Sequence, residues 1–406
     1  MSTEVRRELA ADGSLTEVES EDEGSFDTPF DPDSISIESK VVPMDTLVRR
    51  LRQGTINLAP DFQRGFVWDD IRRSRLIESL MLKIPLPMFY VAATKNGAWD
   101  VVDGIQRLST IRDFLLGSNL DENGFTLTGL EFWGGQFNDK TYNKIREDGR
   151  YVRIVNNIME TELRFTVINP GTPEEVKRNV FRRINTGGMP LTPQEIRHAL
   201  YQGESTRFLT RLVESKHFEK AIGSTLNDSR MSIKEIILRF LAFSLRNEAS
   251  YEPTMDAFLS DTMRLINHMP NLTEDVIKNI LKGKKTQKIN QLSVEQLEVR
   301  FITAMQRGVD LFGRHAFRKS CGDEYRSFIN KALFESLANV LADLDENNFE
   351  KLRDRREQLH DKYRKLMMNS NFIVHIGRGS TGALGVQGRY TMIREMIHSV
   401  LREDQT

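Results

Sequence analysis

The hydrophobic pattern of this chain changes character near Thr192, and that change limits the fold more than any other feature. Before it, short runs that read as strands alternate with helical stretches. After it, apolar residues recur every three or four positions, as in Leu297, Phe301, Met305, Val309 and Phe312, and again in Phe328, Leu333, Leu337, Val340 and Leu344. A chain of 406 residues exceeds what one core usually organises, since domains run to roughly 100–200 residues. The pattern predicts an α+β class: a mixed α/β domain over residues 35–191, an all-helical domain over 192–406, and an acidic tail over 1–34.

Charge is unevenly spread. Residues 1–35 hold eleven acids and two bases, so nine net negative charges lie there; with a whole-chain net charge of −1, the remaining chain carries eight net positive ones. From Leu15 to Ser34 there is no lysine or arginine and little aliphatic surface, a composition that predicts disorder. Such a tail either keeps the protein in solution or mimics nucleic acid and shields a basic groove of the same molecule. The basic remainder suits a polyanionic partner, DNA or a nucleotide, and is equally compatible with a solvated surface. Cys321 is the single cysteine, which excludes an intrachain disulfide and a thiolate zinc cluster. The start lacks the apolar stretch of a secretory signal, and no segment reaches the roughly 18 apolar residues of a membrane span. The expected location is the cytoplasm, with no membrane partner.

Within the first domain, Asp45–Leu51 reads as a short helix ended by Gly54, Ile56–Leu58 as a strand, and Asp69–Leu82 as an amphipathic helix capped by Asp69. Its apolar stripe is Leu76, Ile77, Leu80 and Met81. Met88–Ala93 and Trp99–Val102 form a hairpin around Asn96-Gly97. A helix from Gln106 to Leu116 follows, so Asp103 and Gly104 fall at a strand-to-helix junction. Leu163–Ile168 predicts another strand and Pro173–Ile184 another helix.

That junction holds the densest chemistry. Asp103-Gly104-Ile105-Gln106-Arg107 offers a carboxylate, a glycine, an amide and a guanidinium at a helix start. Backbone N–H groups there favour anions, glycine allows close approach, and arginine grips phosphate oxygens in a fork. Asp103 can hold a metal ion or a ribose hydroxyl. The same residues also fit an aspartate N-cap followed by a surface arginine. Gln63 and Arg64 repeat the amide–guanidinium pair before another helix, and Arg182-Arg183-Ile184-Asn185-Thr186-Gly187-Gly188 repeats it again. In the last case, Gly187 also fits a helix C-cap, and Thr192 with Glu195 a capping box.

Together these boxes resemble a known family. Pro60-Asp61-Phe62-Gln63-Arg64, Trp68, Ile84-Pro85-Leu86-Pro87, Asp103-Gly104-Ile105-Gln106-Arg107-Leu108-Ser109-Thr110 and Arg183-Ile184-Asn185-Thr186 are similar in order and spacing to the DGQQR-motif N-terminal domain of GmrSD-type modification-dependent restriction proteins. Weaker similarity runs through Arg230–Phe240, Met255–Leu259 and Ser380–Arg389. The resemblance implies a ParB/sulfiredoxin-like fold and a site that binds a nucleoside triphosphate with Mg2+, with hydrolysis as a further expectation, used in phage defence to control an attack on DNA. Carried over by position, Asp103, Gln106 and Arg107 are the catalytic candidates, and Gln63, Arg64, Gly104, Asn185 and Thr186 the nucleotide-binding ones. Ile105 stands where the family has its first glutamine, which bears on hydrolysis more than on binding.

Other chemistries find little support. The seven histidines, His198, His217, His268, His315, His360, His375 and His398, lack ligand spacing and read as surface or helix-face residues, so no HNH nuclease is recognised. A separate nuclease or other defence protein would then do the cutting. There is no phosphate loop, no Gly-x-Ser-x-Gly elbow and no His-Glu-x-x-His helix. Gly377-Arg378-Gly379-Ser380-Thr381-Gly382 reads as a phosphate cradle or as a connection between helices. Two alternatives to an NTP-dependent enzyme stay open: a non-catalytic nucleic-acid-binding module, and a nuclease built on the ParB-like domain itself.

Overall fold

The computed structural model of the protein describes residues 8–9, 15–16, 18–19, 36–58, 68–118, 120, 124–184, 192–223, 231–252, 254–281, 289–377 and 380–402. Two compact units form, one of Thr28–Leu200 and one of Met1–Asp27 with Tyr201–Thr406. The first is mixed α/β and the second mostly helical, as the change of periodicity predicts. Among the described residues no helix is long and apolar enough to cross a membrane.

Near the N-terminus β1 (Glu8–Leu9) pairs antiparallel with β2 (Leu15–Thr16). The α/β unit opens with β3 (Ile37–Pro43), which runs straight into α1 (Met44–Arg52), whose Met44, Leu47 and Leu51 face inward at helical spacing. After β4 (Ile56–Asn57) comes α2 (Asp70–Met81), capped as predicted: Asp69 Oδ1 accepts the Arg72 N–H at 2.7 Å. The hairpin of β5 (Phe89–Ala93) and β6 (Trp99–Asp103) turns at Asn96-Gly97, where Gly97 takes a φ of 82° and the Thr94 N–H donates to the Ala98 carbonyl at 2.8 Å. Next comes α3 (Ile105–Leu116).

Three short helices that no sequence pattern marked, α4 (Gly134–Phe137), α5 (Tyr142–Arg146) and α6 (Val152–Met159), follow. Aromatic contacts of 5.6 Å between Trp133 and Phe137 and 4.8 Å between Phe137 and Tyr151 hold this region together. The buried Glu78 carboxylate of α2 accepts the N–H groups of Glu131, Phe132 and Trp133 at 2.8–2.9 Å and fixes its entry. The unit closes with β7 (Glu162–Ile168), α7 (Glu174–Ile184) and α8 (Pro193–Leu200).

The sheet order is β3-β7-β5-β6-β4. β3 and β7 are antiparallel, β7 and β5 parallel with Phe165 opposite Phe89, and β6 and β4 parallel with Trp99 opposite Ile56. On one face the Phe165 ring packs 5.1 Å from Phe89 and 5.3 Å from Trp99. On the other, Ala92, Val102 and Ile168 meet Phe181 of α7 and Ile196 of α8. Because Ile196 joins this cluster, α8 stays with the α/β unit, and the boundary falls after Leu200 rather than at 191.

The second unit comprises α9 (Glu204–Val213), α10 (Lys216–Ile222), α11 (Ser232–Leu245), α12 (Met255–Asn267), α13 (Glu274–Leu281), α14 (Val294–Phe312), α15 (Lys331–Asp343), α16 (Glu346–Asp354), α17 (Arg356–Met368), α18 (Ser370–Ile376) and α19 (Ala383–Arg402). α11 is buried from Ile233 to Leu245 and forms its axis. The predicted stripes lie inside: Leu297, Phe301 and Met305 of α14 and Leu333 and Leu337 of α15 have no exposed surface. Five of the buried charges are matched to one another. Arg239 bridges Glu235 at 3.0 Å and Glu335 at 3.5 Å, Lys331 meets Glu235 at 3.0 Å, and Arg389 pairs with Glu335. Buried ions need such partners.

Two readings change here. His198 and His315 are buried, at 0% and 2% exposure, not surface residues; His315 is accommodated because its Nδ1 lies 2.8 Å from Ser320 Oγ and Arg314 Nε donates to its Nε2 at 3.0 Å. Within the acidic tail, β1 pairs with β2, and in the stretch whose composition predicts disorder Val18 and Glu19 pack on the helical unit: Val18 is buried, and Glu19 pairs with Lys319 at 2.8 Å.

Candidate functional site

The junction of β6 and α3 is built around Gly104. Its φ of 92° is left-handed, and a Cβ there would stand 2.4 Å from Phe89 Cδ1, so only glycine fits without rearrangement. Gly104 is also the N-cap: its carbonyl accepts the Leu108 N–H at 2.8 Å, and no side chain caps the helix. Asp103 therefore does not serve as the cap. It ends β6 with a side chain 38% exposed. Gly104 as N-cap has no side chain to cap the first turn of this twelve-residue helix, which lies at the positive end of the helix dipole.

Arg107 lies one turn on and is held on all sides. Nη2 donates to Asp103 Oδ2 at 3.0 Å and to the Met88 carbonyl at 3.3 Å, Nη1 donates to the Pro87 carbonyl, and the guanidinium sits 4.5 Å from the Phe89 ring centroid. Burial lowers its pKa below the usual arginine range, and Asp103 opposes that shift. The arginine thus fastens the entry of β5, the end of β6 and the start of α3 together. It holds one Asp103 oxygen and leaves the other facing outward.

Ile105 is 4% exposed and belongs to the core. Gln106 Oε1 accepts the Trp68 N–H at 3.3 Å, tying α3 to the residue at which the Gln63–Arg64 segment rejoins the described chain. Gln63 and Arg64 themselves lie outside the described residues, as do Asn185, Thr186 and Gly187. The flanks of that last segment are placed: Phe181 of α7 and Ile196 of α8 both belong to the cluster around Val102, next to Asp103. The Thr192–Glu195 capping box forms, with Glu195 N–H to Thr192 Oγ1 at 3.2 Å and Thr192 N–H to Glu195 Oε2 at 2.6 Å.

Sequence reading missed a second polar pair. Asn57 Nδ2 donates to Asp100 Oδ1 at 2.6 Å, linking β4 to β6. Burial raises the Asp100 pKa, and the Asn57 hydrogen bond and Lys177 act against it. It also missed the buried polar face of α8, where Arg197 Nε donates to Gln194 Oε1 at 2.9 Å. Neither lies in a recognisable motif; strand pairing and helix packing create both.

Residues 45–202 match the family described as GmrSD restriction endonuclease, N-terminal domain. The α/β unit is a domain of that family. Comparison with curated proteins and with solved structures gave no match. In this GmrSD-type domain the Asp103–Thr110 box occupies the end of β6 and the start of α3, and Trp68 lies just before α2; Pro60–Arg64 and Asn185–Thr186 lie outside the described residues.

Proposed function

We propose that this protein belongs to a restriction system and that its GmrSD-type domain binds a nucleoside triphosphate at the Asp103–Arg107 turn. The observation that carries the reading is a part-exposed Asp103 carboxylate set beside the start of α3 across Gly104, a left-handed glycine where a Cβ would clash with Phe89. Uncapped N–H groups at a helix start take phosphate oxygens. Gln63, Arg64, Asn185 and Thr186 belong to the two segments whose ends meet this turn, and they would supply the remaining polar contacts. Arg107 acts as a positioning residue for Asp103.

A magnesium ion fits this arrangement. Mg2+ is commonly held by one or two carboxylates together with substrate phosphates and water, and the free Asp103 oxygen provides one such ligand. Among the described residues no group of three His, Cys, Asp or Glu side chains could hold a metal. The ion would therefore enter with the phosphates and supply charge neutralisation there.

The test is equilibrium titration of each nucleoside triphosphate with Mg2+ into the native protein and into Asp103→Asn, with turnover followed in the same samples. Native binding that falls at least tenfold in the folded variant supports the site. Equal affinity in both proteins places the nucleotide elsewhere, and no binding by the native protein overturns the reading.

A further inference from the structure

Ile329 is the centre of a small β arrangement on the helical unit. Arg318 bridges it in antiparallel fashion from one side, and Val18 of the N-terminal segment bridges it in parallel from the other. Adding an extended segment to a free edge is a general mode of peptide recognition, in which main-chain bonds give affinity and side-chain pockets give specificity. Both parts are present. The Glu19 N–H donates to the Ile329 carbonyl at 2.9 Å, and Val18 is 2% exposed.

The carboxylate of Glu19 meets one donor that other bonds already hold in place and a lysine ammonium. Asn330 is 1% exposed, and its Oδ1 caps α15 by accepting the Leu333 N–H at 2.8 Å. That fixes its amide orientation, so Nδ2 donates to Glu19 Oε2 at 2.6 Å and to the Ile376 carbonyl at 2.8 Å. Lys319 Nζ reaches the same Glu19 oxygen at 2.8 Å. A fixed amide and a lysine ammonium for the carboxylate, a main-chain acceptor in Ile329 and a position where valine is buried select an aliphatic residue followed directly by an acid.

We propose that this edge is a docking groove for an extended segment of a partner protein bearing such an aliphatic–acidic pair, and that Val18–Glu19 occupies it in cis. A tethered segment acts at an effective concentration of about millimolar. A free peptide of ordinary affinity therefore gains entry only when the cis segment is weakened or released. The acidic tail is in this sense the groove's own ligand.

A labelled peptide spanning residues 14–24 is titrated into the full native chain and into the full chain carrying Val18→Asp and Glu19→Lys, with melting curves as a folding control. The double variant should bind at least tenfold more tightly than the native chain. A peptide with the Glu19→Lys change should bind the double variant at least tenfold more weakly, and adding Lys319→Glu to the protein should reverse that preference. A protease site introduced at residues 28–29 gives a second route that leaves Val18 and Glu19 unchanged: after cleavage, fragment 1–27 should leave on dilution and be replaced by the peptide while the helical unit stays folded. A folded double variant that ignores the peptide, or unfolding on loss of the fragment, overturns the proposal. So does a variant that gains duplex-DNA affinity but no peptide affinity, since the groove would then serve a polyanion.

Discussion

Arg107 lies over the ring of Phe89 with its guanidinium carbon 4.5 Å from the centroid, while the same group binds the Asp103 carboxylate at 3.0 Å. It also binds the carbonyls of Pro87 and Met88, so it joins both strands of the hairpin to α3. Replacing it removes charge-assisted bonds worth about 1.5–3 kcal/mol and a cation–π contact of about 0.5–2 kcal/mol. Arg107→Ala should lower unfolding free energy by about 2–4 kcal/mol in urea titration, where an unattached surface arginine would change it by less than about 0.5 kcal/mol. Arg107→Lys should recover only part, because one ammonium cannot serve acceptors on three sides. An unperturbed melting curve for Arg107→Ala would show that the clamp is not formed.

Gly104 gives a second, independent handle on the same turn. A methyl group there meets Phe89 Cδ1 at 2.4 Å and Arg107 Nη2 at 3.1 Å, on a backbone of φ 92°. Left-handed backbone costs roughly 1–2 kcal/mol for a residue with a Cβ, and overpacking adds about 1–3 kcal/mol. Gly104→Ala should therefore destabilise by about 2–4 kcal/mol by thermal or urea unfolding. Phe89→Leu in the same chain should return the steric part and none of the backbone part. Additive losses in the double variant would rule out the contact.

The elements of the α/β unit were legible where local chemistry decides them. The Asn96-Gly97 turn, the Asp69 cap and the Thr192–Glu195 box each depend on residues a few positions apart, and each forms as read. What sequence could not show is direction. Ile105 follows Gly104 in a motif of polar residues, yet the left-handed turn sends it into the core, and Arg107, read as a grip for phosphate, is turned back onto Phe89 and Asp103. The Asn57–Asp100 bond depends on strand pairing across 43 residues, which no local pattern encodes. Val18 and Glu19 were hidden for the reverse reason, because the acidic composition around them outweighs one valine and one carboxylate that find partners about 300 residues away.

Ile105→Gln follows from that direction. Restoring the family's glutamine reads in sequence as adding an amide to the site, but at 4% exposure the amide would be buried with the core. An unsatisfied buried polar group costs about 1–3 kcal/mol. The variant should melt earlier and show no gain in nucleotide turnover or affinity. Faster turnover with unchanged stability would mean that position 105 faces the ligand after all.

The last prediction concerns His315 and pH. Arg314 Nε donates to its Nε2, so the proton of the neutral ring sits on Nδ1 and points to Ser320 Oγ. A second proton on Nε2 would face the Arg314 donor. Burial first and Arg314 second push the pKa below the ordinary 6.5. The folded state then resists protonation while the unfolded chain takes up a proton near pH 6.5, so below that pH the unfolded state binds more protons and stability falls with falling pH. Above pH 6.5 both states are neutral at this residue and the contribution is complete. Unfolding free energies measured in urea between pH 5 and 8 should therefore drop on acidification more in the native chain than in His315→Asn, which cannot titrate and keeps an N–H donor for Ser320. Parallel pH profiles for the two proteins would mean that His315 protonates as readily folded as unfolded, and that its contact with Arg314 does not exclude the proton.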